Sequence, residues 1–321
     1  MGMALVESVP NVSEGRRLEV VDRLAAALDS VPGAHLLDRT SDPSHNRSVF
    51  TIAGEDGPVA DALERLVAAA LREIDMEEQS GEHPRIGAVD VVPFVPLGET
   101  TLEQCVGFAR DFGLRIATRF ELPVYLYAAA AARPERVKLA DVRRGQYEGL
   151  REEIATRGRE PDFGPARMHP RGGATCVGAR PFLIAWNINL ASADLELAKR
   201  IAHRIRESSG GLPALQAKGF FIEELGCAQV SMNLLDFGLT PLWMAWEMVR
   251  AEAAEDGVEL AETELIGLAP LAAFAAVADR AGAPREAPPE ERVLAAGRFL
   301  KLRDASPLMA LELRLARAAG G

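Results

Sequence analysis

Of the five histidines, at positions 35, 45, 83, 169 and 203, His83 has the setting best suited to proton transfer. It lies in Gly81-Glu82-His83-Pro84-Arg85-Ile86-Gly87-Ala88-Val89-Asp90, between the carboxylate of Glu82 and the guanidinium of Arg85. A proline after the histidine biases its backbone towards an extended form, which places it on a connection and not inside an element. Connections carry function more often than the elements they join. A neighbouring acid and base pull an imidazole pKa in opposite directions around neutrality, where general acid/base work is most effective. An exposed turn histidine among ordinary surface charges reads the same way locally. A second cluster, Asp42-Pro43-Ser44-His45-Asn46-Arg47, joins two apolar segments and suits a polar ligand. Turn chemistry accounts for it equally, since Asp-Pro and Ser-Asn are good turn formers. Within it, Arg47 is the natural partner of a substrate carboxylate, which its fork meets bidentately.

Gly164-Pro165-Ala166-Arg167-Met168-His169-Pro170-Arg171-Gly172-Gly173 forms a glycine- and proline-rich run. Backbone near glycine can approach a flat ligand closely; by composition alone the run reads as an interdomain linker. It is not a Walker loop, and no strand–GxGxxG–helix unit occurs, so nucleotide binding has no support. No HExxH or other metal-ligand spacing appears and no catalytic metal is expected. Asn187-Ile188-Asn189 and Ser231-Met232-Asn233 alternate polar with apolar. Asparagines at a cleft mouth would offer donors and acceptors together, although simple alternation also turns them to solvent. Trp243 and Trp246, three apart in an apolar helix, read as core.

The elements that must position these residues follow from periodicity. A strand is predicted over 5–9, then a helix from about Arg16 with Leu18, Val21, Leu24, Ala25 and Leu28 on one face, stopped by Pro32-Gly33. A strand over 34–38, a polar loop over 40–47 and a strand over 48–54 come next. A helix opening at Pro58 leads to a strand over 89–95, which Pro93 marks as an edge or irregular one. A helix over 101–120 and a strand over 123–127 extend this half, and a charged stretch over 133–159 predicts one or two connecting helices. The second half gives a strand over 181–190, a helix over 194–206, strands over 218–225 and 228–235 turning at Gly226, a helix over 242–255 and a strand over 262–268. Both halves read β-α-β-β-α-β. The expected fold class is therefore α+β: two subdomains of ferredoxin-like order with a ligand cleft between them. A Pro/Gly-rich linker from Gly282 precedes short C-terminal helices.

The whole composition narrows the function. The chain has 321 residues, 48% hydrophobic and 26% charged, which is ordinary for a globular protein of two packed halves. A net charge of −11 disfavours nucleic acid as a partner. Cys105, Cys176 and Cys227 form no CxxC pair and support neither a disulfide framework nor a zinc site. No apolar run reaches the ~20 residues of a membrane span and no signal-peptide pattern is visible, so a cytoplasmic location is expected.

The opening Leu5-Val6-Glu7-Ser8-Val9-Pro10-Asn11-Val12-Ser13-Glu14-Gly15 resembles that of glutamate formimidoyltransferases, the formiminotransferases. So do the stretches at 45–49, 81–90, 123–127, 162–165, 182–190 and 228–236, in order, from about residue 4 to about 282. The resemblance implies transfer of a formimidoyl group from N-formimidoyl-glutamate to tetrahydrofolate late in histidine degradation, with tetrahydrofolate as co-substrate. It places the catalytic histidine at His83 and a folate-binding loop at 164–173. With Asp42, His45, Asn46, Arg47, Glu82, Arg85, Asn187 and Asn189, these make the expected site. It also implies a boundary near Gly178, hence subdomains over 1–177 and 178–284 and an extension over 285–321, and it implies a homodimer. Two departures stand out. Vertebrate members carry a tryptophan where Gly172 stands, and an acidic residue where Thr40 stands, with Asp42 two places on. Vertebrate members also fuse a cyclodeaminase, and a chain ending some forty residues past the transferase region is expected to rely on a separate one. The alternatives are another one-carbon donor, 5-formyltetrahydrofolate with glutamate or formimidoyl-glycine, and a folate-binding protein without catalysis.

Overall fold

A computed structural model of the chain describes residues 4–320; the ends of the expected first and last segments, 1–3 and 321, lie outside the described residues. The fold is α+β, with two sheets, and separates into two compact units, 1–180 and 181–321.

The first unit holds β1 (Leu5–Ser8), β2 (Asn11–Val12), α1 (Leu18–Leu28), β3 (Ala34–Asp42), β4 (Arg47–Glu55), α2 (Asp56–Glu73), β5 (Val89–Pro96), α3 (Leu102–Phe120), β6 (Val124–Ala128), α4 (Leu139–Val142), α5 (Gln146–Glu153) and β7 (Thr175–Ala179). Its seven strands form one sheet. β1 and β2 are two pieces of one strand path, each antiparallel to both β4 and β5. β3 flanks β4 on the far side, and β7 lies parallel between β5 and β6.

Helices α1, α2 and α3 lay their apolar stripes on one face: Val20, Val21, Leu24 and Leu28 of α1, Leu63, Leu66 and Val67 of α2, Phe112 and Ile116 of α3 are all buried with Phe50, Ile52 and Phe94 of the sheet. α3 opens on a capping box, Thr101 accepting from the Gln104 N–H while the Gln104 side chain accepts from the Thr101 N–H. On the other face, α4 and α5 bring Val142 and Leu150 into a smaller cluster with Ile86, Val91, Tyr125 and Cys176.

Two expectations are corrected here, and one is narrowed. Of the two readings of Pro93, an edge strand or an irregular one, the second holds: β5 has neighbours on both sides, and its ladder to β2 shifts register. The proline is accommodated because the adjacent strand is itself interrupted between Ser8 and Asn11, so on that side the ladder runs from Val91 to Val95 without using residue 93. The loop expected over 40–47 is shorter, since β3 continues to Asp42 and pairs it with Arg47 across a tight hairpin. Residues 164–173 are not an interdomain linker: they lead into β7, an inner strand of the same sheet, and Gly173 bridges Gly87.

The second unit holds β8 (Ile184–Leu190), α6 (Leu195–Ile205), β9 (Leu215–Ile222), β10 (Cys227–Leu234), α7 (Leu242–Glu255) and β11 (Leu260–Ile266), followed by α8 (Leu271–Arg280), α9 (Pro289–Phe299) and α10 (Leu311–Ala319). Its four strands run β11-β8-β10-β9, all antiparallel. Trp186 and Trp246 are buried and face each other at 6.4 Å. Trp243, expected in the core, is half-exposed beneath the Arg280 guanidinium, 5.4 Å from its ring centre. No described helix is long and apolar enough to cross a membrane.

Candidate functional site

Two connections of the first unit meet, and a strand start and a helix end complete the site. The first is the β3–β4 turn. Asn46 takes φ +48°, a left-handed conformation that asparagine tolerates better than other side chains. Its amide is engaged at both ends, accepting from the Gly15 N–H at 3.0 Å and donating to the Ser80 carbonyl at 2.9 Å. Asn46 therefore ties the start of α1, the turn and the second connection, 74–88, together. That connection lies flat on the turn because Gly81 has no side chain: a Cβ there would stand 2.3 Å from the His45 carbonyl oxygen.

The contact between the two connections joins the two expected residues directly. Arg47 Nη1 lies 2.6 Å from His83 Nε2, and the rings of His45 and His83 meet edge to face at 6.2 Å. A guanidinium only donates, so Nε2 accepts and the imidazole proton sits on Nδ1. Burial, then the positive charges of Arg47, Arg143 and His45, holds the half-buried His83 far below the ordinary histidine range, at about 3, against an opposing pull from Asp42. His83 is thus neutral at pH 7. Asp42 is itself occupied: it accepts from the His45 N–H at 2.9 Å and lies 2.6 Å from His45 Nδ1. Those bonds outweigh its burial and hold its carboxyl below the ordinary range.

Beneath the histidine lies a buried ion pair that the residue patterns did not reveal. At the start of β5 the ladder to β2 slips, Val12 facing Val89 while Asn11 faces Val91, which leaves Asp90 without a partner across the strand. A slip of this kind re-aims a side chain. Asp90, 2% exposed, accepts the Ile86 N–H at 2.8 Å and pairs with Arg143, which follows α4. Its motif position was visible in the sequence; Arg143 carried no signal there, being one arginine in a charged stretch. Burial lifts the Asp90 carboxyl above its usual range although Arg143 pulls the other way.

Arg85 is buried and saturated. It donates to Gln79 Oε1 at 2.7 Å and reaches both carboxylate oxygens of Glu148 at 2.8 and 3.0 Å. Glu82 is exposed, and its N–H donates to the Ser44 carbonyl at 3.4 Å.

Of the expected folate loop, Gly172 and Gly173 run beside the His83 connection: the Gly172 carbonyl accepts the Ala88 N–H at 2.9 Å, and the Gly173 N–H and carbonyl exchange bonds with His169. His169 Nδ1 accepts the Gly172 N–H at 2.9 Å, closing the turn around Pro170. A Cβ on Gly172 would meet Leu71 at 2.0 Å. Arg171 donates to the Arg72 carbonyl, and Arg167 pairs with Glu121 near the end of α3. Gly164 packs on Leu122, and Met168 touches both clusters of the first unit. Asn187 and Asn189 lie on β8 of the second unit. Asn189 is buried and accepts from Gln229 Nε2 at 2.8 Å, and Asn187 faces Ser231 and Glu264 on the adjoining strands. Among the described residues no group of three His, Cys, Asp or Glu side chains is placed to hold a metal ion.

Residues 5–180 match the family model of the formiminotransferase domain, N-terminal subdomain, and residues 185–281 that of the formiminotransferase domain. The chain belongs to this family and is an enzyme of it, a one-carbon group transferase. Among its relatives are the glutamate formimidoyltransferases of Thermoplasma acidophilum, 46% identical over 278 residues, and of Streptococcus pyogenes serotype M1, 44% identical over 275. These alignments cover 86% of this chain and 91% and 92% of the two relatives. The formimidoyltransferase-cyclodeaminase of Mus musculus is 44% identical over 276 residues, 84% of this chain and 51% of that protein.

Proposed function

We propose that the chain transfers a formimidoyl group from N-formimidoyl-L-glutamate to N5 of tetrahydrofolate, with His83 as general acid/base. The observation that carries this reading is the juxtaposition of a neutral, half-buried imidazole with a guanidinium, Arg47, that has no ion-pair partner among the described residues. The N5 lone pair forms the bond to the formimidoyl carbon as the C=N pair moves onto the imino nitrogen, and N5 sheds its proton to the imidazole. That pair then re-forms C=N as the bond from carbon to the glutamate nitrogen breaks with its electrons, and the same proton completes the amine of glutamate. A positioned shuttle of this kind contributes about 10²- to 10⁴-fold, and holding both substrates together supplies the entropic part. Arg47 receives a carboxylate of the donor. Arg85, committed to Glu148 and Gln79, positions the histidine connection. The loop 164–173 is assigned to folate. The strand order β11-β8-β10-β9 supports a ferredoxin-like second subdomain, and we assign the subdomain boundary to the end of β7, near Gly178, with a helical extension over 285–321. The family resemblance supports a cytoplasmic homodimer.

Steady-state transfer by the wild type and His83→Ala tests the reading. Turnover falls by about 10²- to 10⁴-fold in the variant while tetrahydrofolate binding stays within about threefold. Undiminished turnover in the variant overturns the role of His83. A wild type that binds tetrahydrofolate yet transfers nothing from N-formimidoyl-L-glutamate directs the search to another one-carbon donor.

A further inference from the structure

The ring nitrogen that must take the proton is already occupied. Arg47 Nη1 donates to His83 Nε2 at 2.6 Å, and a lone pair engaged in that bond accepts nothing else until the donor leaves. The other guanidinia nearby are held by their own carboxylates, Arg85 by Glu148 and Arg143 by Asp90. Arg47 has no such anchor, and its buried Nε has no hydrogen-bond partner. Asp42, the carboxylate across the hairpin, is taken by His45. Among the described residues Asp42 and Asp90 act on Arg47 without forming an ion pair with it, which leaves its guanidinium open to an external carboxylate. Building on the transfer reading above, we propose that Arg47 is a displaceable cap on His83. The carboxylate beside the reacting nitrogen of an N-formimidoyl amino acid draws it off Nε2, so that this carboxylate is required for proton transfer itself and not only for binding.

Displacement moves one cation from the histidine to the ligand. The charged and titratable groups facing His83 are then Asp42 and His45 from the hairpin, Arg85 on its own connection, Asp90 on β5 and Arg143 after α4. A pocket of about 290 Å³ adjoins the histidine site through Asn46 and Gln79, and neither Arg47 nor His83 lines it. Losing the guanidinium raises the affinity of the imidazole for a proton. The cap thus leaves a weak base in the resting enzyme and a stronger one once the donor is seated.

Two measurements on the full chain test the cap, one of them independent of turnover. In ring-¹⁵N histidine NMR at about pH 5, with His83 assigned by His83→Gln, saturating L-glutamate raises the protonated fraction of His83 at least about fivefold, and Arg47→Gln does so without ligand. A His83 signal unmoved by L-glutamate, with binding shown by other resonances, overturns the proposal. In kinetics, the α-carboxamide analogue of N-formimidoyl-L-glutamate lowers the wild-type kcat by about 100-fold, and the gap in kcat closes to within about threefold in Arg47→Gln. A gap confined to KM also overturns it, because it makes Arg47 a binding group alone. If L-glutamate moves the His83 signal while the wild type transfers nothing from N-formimidoyl-L-glutamate, the cap stands and the donor assignment fails.

Discussion

Asp90 and Arg143 show how much a single buried pair can support. The carboxylate is almost fully buried, receives one backbone N–H and one guanidinium, and sits below the imidazole that it helps to place. Removing one partner of a buried pair leaves the other charge uncompensated, at a cost of about 3–5 kcal/mol. Asp90→Ala therefore lowers the stability measured by urea unfolding by about that amount, and adding Arg143→Met restores part of it, since an apolar pair is easier to bury. Equal stability of Asp90→Ala and wild type would show that the pair is not coupled to the fold. At this scale the sequence was uneven. His83 and Arg47 could be picked out because their residue types and neighbours speak for themselves. Arg143 could not, because its meaning arises only where α4 packs over β5.

At the scale of elements, the site depends on two connections lying one on the other, and Gly81 sets how closely they approach. Gly81→Ala would drive its Cβ against the His45 carbonyl, an unyielding backbone atom, and push the hairpin away from the histidine connection. A displacement of about 1 Å at a catalytic constellation costs about 10²-fold. The variant should lose about that much in kcat, with far-UV circular dichroism unchanged; full activity would show that the close approach is dispensable. Most helices and strands were legible from apolar periodicity, as the stripes of α1 and α2 show. The strand β7 was not, because Thr-Cys-Val-Gly-Ala is short and follows a run of glycines and prolines that reads as a linker. Pro93 pointed to an edge or an irregular strand, and only the gap in the neighbouring strand decides for the second.

For the whole molecule, the perturbed groups combine into one pH profile. His83 has its pKa depressed from 6.5 to about 3 in the fold, so the unfolded chain binds the proton first and stability falls as pH drops below 6.5. Asp42, Glu77 and Glu148 have depressed pKa values, Glu77 through bonds from Tyr147 and Arg151 and Glu148 through Arg85, and their stabilisation is lost as pH falls through the carboxylate range. Both effects have the same sign, and Asp90, its carboxyl lifted by burial, acts in the opposite direction. Calorimetry should give the highest Tm near pH 7 and a steady decline to about pH 4, and His83→Gln should flatten the limb between about pH 6.5 and 5. A Tm constant from pH 7 to 5 in the wild type would contradict the depressed histidine.

The broken strand β1–β2 has a consequence for how the chain is made. It lies inside the sheet, between β4 and β5, so its residues are synthesised before the strands they pair with: Val6 waits for Gly54 and then for Pro96. The β5 edge beyond it waits longer still, for Cys176 and its neighbours in β7. Contacts so distant along the chain close slowly. The first unit can complete its sheet only when nearly all of its own sequence has been synthesised, just before the first strand of the second unit emerges.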